Sequence, residues 1–221
     1  MHIAINNKRL PAMAFAQGGQ AKRLRDEAGR LLPSLRPLWG LLPRCRGFDI
    51  RPVRTILHHD AACMLVQQSH VWRGDNRESH GQRMDDPNRV ILAAKQYDEL
   101  AATLMLNRDS PEGLLADSLY APELARLRRP KRIVCEVSRL AVDPDFSSRD
   151  LLIALFQAAF QYARDFFAAS DALIEVNPRH ARYYQRLLGF KLIGRQRQCR
   201  RLDAPVVLLH QELDDRAMLP A

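Results

Sequence analysis

Residues 133–142 read Ile-Val-Cys-Glu-Val-Ser-Arg-Leu-Ala-Val, an apolar, β-branched run of the kind that forms a strand covered on both faces. Such a strand belongs inside a sheet with helices packed on either side. Glu136, Ser138 and Arg139 interrupt the run. A buried carboxylate with no partner would cost several kcal/mol. Glu136 is therefore in a structural pair, on an edge strand, or employed in chemistry. Strict alternation puts Glu136 and Ser138 on one face and Arg139 on the other, unless a bulge re-aims the arginine.

The surrounding pattern gives this strand its context. Asp143-Pro144-Asp145 stops it, and Ser147 with Asp150 three residues later suggests a capping box. Leu152, Leu155, Phe156, Ala159, Ala163 and Phe166 then recur at helical spacing. A short apolar strand over residues 172–176 ends at Asn177-Pro178. A helix carrying Ala181 and Tyr184 follows and closes at Gly189. Residues 190–193 and 206–210 read as a closing strand pair. Upstream, residues 50–57 have strand character, and Asp60 is the expected cap of a helix reaching Trp72. Residues 73–88 form a polar loop, residues 89–95 and 100–107 a hairpin, and Asp117 opens a helix ending near Arg128. The whole is an α/β sandwich around a mixed sheet.

With 221 residues, 47% of them hydrophobic, the chain can bury one sizeable core. Residues 1–47 read as a basic N-terminal extension, partly flexible or laid over the surface, and residues 48–221 as the domain proper. The extension is rich in Lys and Arg, as transit peptides are, although Asp26 and Glu27 run against that. No apolar run approaches the ~18–20 residues that span a bilayer, so no transmembrane segment is expected. Cys45, Cys63, Cys135 and Cys199 show neither metal-ligand spacing nor a disulfide framework. His58-His59-Asp60 lacks a third spaced ligand and reads as a helix start. No metal site is expected, and the expected compartment is the cytoplasm.

The net charge of +9 is concentrated at Arg126, Arg128, Arg129, Lys131 and Arg132, and again at Arg195, Arg197, Arg200 and Arg201. Such clusters suit nucleic acid, a membrane surface or an acidic protein, or form a solvated basic face. No nucleic-acid-binding module accompanies them, so nucleic acid is not an expected partner.

The order of strand, Asp-Pro turn, long helix, strand ending in Asn, and helix with Tyr before Gly-Phe resembles the GNAT acyltransferase superfamily. Residues 177–190, Asn-Pro-Arg-His-Ala-Arg-Tyr-Tyr-Gln-Arg-Leu-Leu-Gly-Phe, match its acceptor-side signature with one extra Leu before the Gly. Glu136-Val137-Ser138-Arg139 is similar to the Glu-x-Ser-Arg element shared by acyl-homoserine-lactone synthases and long-chain N-acyl amino acid synthases. Residues 110–117, Ser-Pro-Glu-Gly-Leu-Leu-Ala-Asp, with Leu119-Tyr120 and Glu123-Leu124, resemble the second group specifically. The resemblance covers about residues 50–212 and is most specific from 109 to 190.

The resemblance implies a GNAT-type mixed central sheet flanked by helices, with two central strands splayed around the donor's pantetheine arm. It implies transfer of a fatty acyl group from an acyl carrier protein thioester to the amine of an amino acid. Glu136 is the implied base and Tyr184 the implied acid, although a core Tyr bonded to backbone is the ordinary alternative. Ser138, Arg139, the backbone of Leu140, Ala141 and Val142, and Arg149 are implied on the donor side, with Asn177 and His180 near the acceptor. A structural pairing of Arg139 with a carboxylate, or a hold on the loop after the strand, fits it at least as well, and a surface position fits His180.

The match departs from acetyl-CoA-using members in one respect. Residues 146–150, Phe-Ser-Ser-Arg-Asp, contain no glycine where those members cradle a pyrophosphate. A carrier-protein donor brings one phosphopantetheine phosphate and an acidic surface, which suits the basic clusters. No bound cofactor is expected; the phosphopantetheine-linked acyl group is a substrate. Two other readings fit these residues: a homoserine-lactone-type synthase using S-adenosylmethionine, and a non-catalytic GNAT-like domain that binds an acidic partner.

Overall fold

A computed structural model describes residues 47–71 and 86–213, all inside the compact unit Leu38–Ala221. The expected helix at residues 23–32, Cys45, Trp72 and nearly all of the polar loop after it lie outside the described residues. The elements run β1 (Asp49–Pro52), α1 (Ile56–Val71), β2 (Arg89–Gln96), β3 (Glu99–Arg108), α2 (Asp117–Leu127), β4 (Val134–Val142), α3 (Arg149–Phe167), β5 (Asp171–Val176), α4 (Pro178–Leu188), β6 (Lys191–Cys199) and β7 (Ala204–Glu212). The strands form a seven-stranded sheet in the order β1-β2-β3-β4-β5-β7-β6. β4 and β5 pair in parallel, and the other neighbours are antiparallel. The interrupted apolar run is thus the middle strand, with three strands on each side.

Helices cover both faces. Cys135 and Val137 of β4 face the core built on α3 and α4, which contains Leu151, Leu155, Phe156, Ala159 and Leu188. Val134 faces the opposite core, built on α2 with Tyr120, Leu124 and Leu208. Leu65 and Val66 of α1 cover Ala141 farther along that second face. Alternation along one strand therefore feeds two separate apolar layers.

Local chemistry explains where the helices begin, and two starts differ from expectation. α1 begins four residues before Asp60, because the Thr55 hydroxyl accepts the His58 N–H at 3.3 Å. A single 3₁₀ turn, Pro144–Phe146, takes up Ser147, so the cap of α3 is Ser148, whose hydroxyl accepts the Leu151 N–H at 3.1 Å. The third helical residue is then Leu151 rather than Asp150, and no reciprocal capping box forms. α4 ends as its sequence indicates: Gly189 adopts φ +77°, and its N–H reaches the Gln185 carbonyl.

The base of the central strand pair is fastened by charge. Asp171, fully buried at the start of β5, accepts Arg132 Nε at 2.8 Å and Nη2 at 2.5 Å, Ser170 Oγ at 2.6 Å and His210 Nε2 at 2.8 Å. Burial pushes its carboxyl pKa up, but the bonds to His210, Arg132 and Ser170 outweigh that and hold it at about 2. Three segments, the approach to β4, β5 and β7, meet on this one side chain.

Gly194 has a packing reason of its own. A Cβ there would lie 2.6 Å from the Tyr120 ring and 2.7 Å from Leu208 Cβ. The ring cannot retreat: Tyr120 is fully buried, and its hydroxyl sits 3.0 Å from the Arg195 carbonyl and 2.9 Å from that of Val206. Gly194→Ala is expected to destabilise the fold by about 1–3 kcal/mol through overpacking. A urea melt of the variant with an unchanged midpoint would remove this account.

Candidate functional site

β4 and β5 pair only from Val134 opposite Asp171 to Val137 opposite Ile174. β4 runs on to Val142 and β5 to Val176 without pairing further, so a gap opens between them. Exposure at Glu175 agrees: the residue as a whole is half-buried, yet its side chain is only 5% exposed, so its backbone is what faces the opening.

The far side of β4 carries the bulge that alternation alone left open. Met105 pairs with Ser138 but Thr103 with Ala141, so β4 has one extra residue, and Arg139 takes φ +50°. The extra residue moves Arg139 onto the face of Glu136 and Ser138. Leu140 and Val142 consequently turn to the α3 side, and Ala141 to the α1 side.

Glu136 is 1% exposed. One carboxylate oxygen accepts the Leu115 N–H at 2.8 Å and the other the Ala116 N–H at 3.1 Å. Those amides stand at the N-terminal end of α2, where backbone donors lack helical partners and favour an anion. The loop that supplies them is itself held: Gly113 has φ +76°, Asp117 accepts the Leu114 N–H at 2.8 Å, and Arg128 clamps both Asp109 and Asp117. Residues 110–117, singled out by resemblance, thus form the clasp around Glu136. Burial pushes the Glu136 pKa up to about 7; the Leu115 amide works against this, Glu175 adds to it, and Arg201 and the Ala116 amide oppose it. No described cation forms an ion pair with Glu136.

The neighbours on this face are polar. Ser138 Oγ accepts Asn107 Nδ2 at 2.9 Å. Arg139 is half-buried and has no described carboxylate partner; burial lowers its pKa. It lines a small apolar hollow, with about 10 Å³ of enclosed space, together with Ala62, Cys63, Val66, Thr103 and Met105. Glu175, two residues beyond Leu173 on the same face of β5, accepts Arg201 Nη2 at 2.5 Å. Asn107 and Glu175 carry no motif in the sequence, and Arg201 stands out there only as a member of a basic cluster. Glu175 carries the signal that flagged Glu136, a carboxylate inside a buried strand, in the neighbouring strand.

Tyr184 lies on the other face, half-buried, with its ring 6.0 Å from that of Phe156 in an edge-to-face arrangement. Glu136 and Tyr184 therefore lie on opposite faces of the sheet. Arg149 is exposed at the first residue of α3. Asn177 spends its side-chain oxygen capping α4, at 3.0 Å from the Arg179 N, and His180 is exposed. Neither joins the polar cluster around Glu136. Among the basic residues, Arg128, Arg132, Arg197 and Arg201 are engaged in ion pairs with Asp109 and Asp117, Asp171, Glu123, and Glu175. Arg126, Arg129, Lys131, Arg195 and Arg200 remain exposed.

Residues 61–212 match the family model described as N-acyl amino acid synthase FeeM. The chain belongs to the FeeM family of N-acyl amino acid synthases. Its fold is similar to the solved structure of FeeM, an N-acyl amino acid synthase from uncultured soil microbes, with a TM-score of 0.68 and 25% identity over 75% of this chain and 92% of that one. An acyl-CoA N-acyltransferase from Pseudomonas aeruginosa shares the fold at TM-score 0.53 and 16% identity, covering 74% of this chain and 97% of that one. A CoA-dependent acyl-homoserine lactone synthase, BjaI, does so at 0.55 and 17%, covering 77% and 85%. No curated protein matches the chain by sequence. The FeeM-family chain is an acyltransferase with the GNAT sheet, and no described helix is long and apolar enough to cross a membrane.

Proposed function

We propose that this FeeM-family enzyme transfers a fatty acyl group from an acyl carrier protein thioester to the amine of an amino acid, in the cytoplasm. The observation that carries the reading is Glu136: a carboxylate with its pKa near 7, buried at the mouth of the strand gap and held by two amides rather than by a cation. The acceptor enters as an ammonium and must first lose a proton. Its nitrogen then attacks the thioester carbonyl, and Glu136 takes the second N–H proton directly or through water as the C–N bond forms. The C–S bond breaks, and the departing thiolate takes the proton of the Tyr184 hydroxyl, leaving an amide and a thiol. Glu136 gives its proton to solvent and Tyr184 regains one from solvent, so the net proton released per turnover is the one the ammonium lost on entry.

The donor arm fits the gap between β4 and β5. Beyond Val137 the backbone groups of β4 on that side have no strand partner among the described residues. The Asp143 N–H bonds to Ala101 of β3, so by alternation the Ala141 N–H also points to β3. Of the stretch from Leu140 to Val142, the amides of Leu140 and Val142 therefore face a strand-like pantetheine. Arg149, exposed at the start of α3, suits the single phosphate of a carrier-protein arm. The absence of glycine in the turn before it supports that choice over CoA, whose pyrophosphate needs close backbone approach. The exposed Arg126, Arg129, Lys131, Arg195 and Arg200 offer an acidic carrier a complementary rim.

The test supplies the purified enzyme with a long-chain acyl carrier protein or the matching acyl-CoA, and with each proteinogenic amino acid or S-adenosylmethionine. Mass spectrometry reads the products. An N-acyl amino acid formed in preference from the carrier protein is the expected result. A homoserine lactone product, or none with any donor, would overturn the reading. The pH profile adds a second check. A base with a pKa of about 7 works only when deprotonated, so activity is expected to fall roughly tenfold per pH unit below that value.

A further inference from the structure

Glu175 is the second carboxylate at the gap, and half of it is unused. Its Oε2 accepts Arg201, while its Oε1 is buried and has no hydrogen-bond partner among the described residues. A buried charged oxygen left without a donor is costly, and native structures keep such groups where a ligand or water completes them. The side chain is 5% exposed, yet it stands where β4 turns away. Had the parallel register continued one step past Val137 and Ile174, Glu175 would lie opposite Ser138. It shares a face with Glu136 and is close enough for the two charges to oppose one another. Arg201 is 41% exposed in the turn between β6 and β7, and only one of its nitrogens is committed to Glu175.

We infer that Glu175 and Arg201 form the acceptor subsite: Glu175 Oε1 accepts an N–H of the incoming amine, and the outer edge of the Arg201 guanidinium holds the acceptor's carboxylate. The arrangement mirrors an α-amino acid, a cationic nitrogen and an anionic carboxylate on one carbon. It divides the work of the two acids. Glu136, with no cation of its own, trades a proton with the nitrogen. Burial raises the Glu175 pKa while the Arg201 pairing works against that, and the carboxylate orients that nitrogen toward the gap. Arg201 gains a second anion while keeping its first, which the five-donor guanidinium fork permits. This inference rests on the amino-acid-acceptor reading and adds the residues that select it.

The experiment first finds the best acceptor for the wild type from the amino acid panel. It then compares that amino acid with its decarboxylated amine in wild type, Glu175→Gln and Arg201→Gln, by steady-state kinetics and by calorimetric binding. Glu175→Gln is expected to raise the KM and Kd of the amino acid about 10- to 100-fold, as loss of a charged hydrogen-bond acceptor does. The donor KM should stay within about twofold of wild type, as for a site the donor does not touch. Arg201→Gln should weaken the amino acid at least about tenfold more than the amine, narrowing or erasing the preference between them. Arg201 is exposed, so this variant carries the test if Glu175→Gln does not fold. Acceptor constants that stay at wild-type values in the folded variants, with only the melting temperature lowered, would overturn the subsite and leave the acyltransferase reading standing. A wild type that neither binds nor acylates any amino acid would overturn both.

Discussion

Glu136→Gln is expected to lower acyl transfer by about 10²–10⁴-fold, the usual contribution of a positioned general base. The variant should remain folded but not unharmed. Each carboxylate oxygen of Glu136 accepts a backbone N–H, from Leu115 at 2.8 Å and Ala116 at 3.1 Å. Glutamine keeps one acceptor and turns an NH₂ toward the other amide, leaving a buried donor unmet at a cost of about 1–3 kcal/mol. Activity and thermal melting measured on the same samples separate the two effects. Loss of activity at a temperature where the variant is fully folded, with no inflection near pH 7 in what remains, is the expected outcome. Wild-type turnover in the folded variant would exclude Glu136 from the proton transfer.

Asp171→Ala should be the most damaging change to the fold itself, destabilising it by about 3–5 kcal/mol. The side chain receives Arg132, Ser170 and His210, and removing it strips Arg132 of its nearest carboxylate and leaves buried donors unmet where three segments converge. The acid limb of stability should change as well. Asp171 has a folded pKa of about 2 against an ordinary 3.8, a depressed carboxyl. Its contribution is therefore present above about pH 4 and is lost as pH falls through that window toward 2. Urea denaturation of wild type and variant at pH 7 and pH 3 checks this. The gap between the two proteins should shrink at the lower pH, and a gap that stays constant would mean Asp171 stabilises by shape rather than by charge.

The two networks show how far local reading reaches. The strand order, the long helix and the Asn-Pro and Gly breaks around α4 follow from periodicity and capping, which depend on residues within a turn or two of each other. That β4 is covered on both faces follows the same way from its apolar, β-branched run, whereas its middle place in the sheet, against the edge position the run also allowed, does not. That one carboxylate in that run needed a reason was legible too, from the desolvation cost alone.

What Glu136 meets was not legible. Its clasp comes from amides 20 and 21 residues earlier in the chain, oriented by the start of α2. Arg139 changes face because β3 pairs with β4 one residue out of step, an event set by the partner strand. Glu175 and Arg201 lie 26 residues apart and meet only because β7 inserts between β5 and β6. The basic clusters, which read as a surface for partners, lose four arginines to carboxylates brought to them by folding. Periodicity records which face of an element is apolar, and the pairing of distant strands decides which polar groups share the space between them.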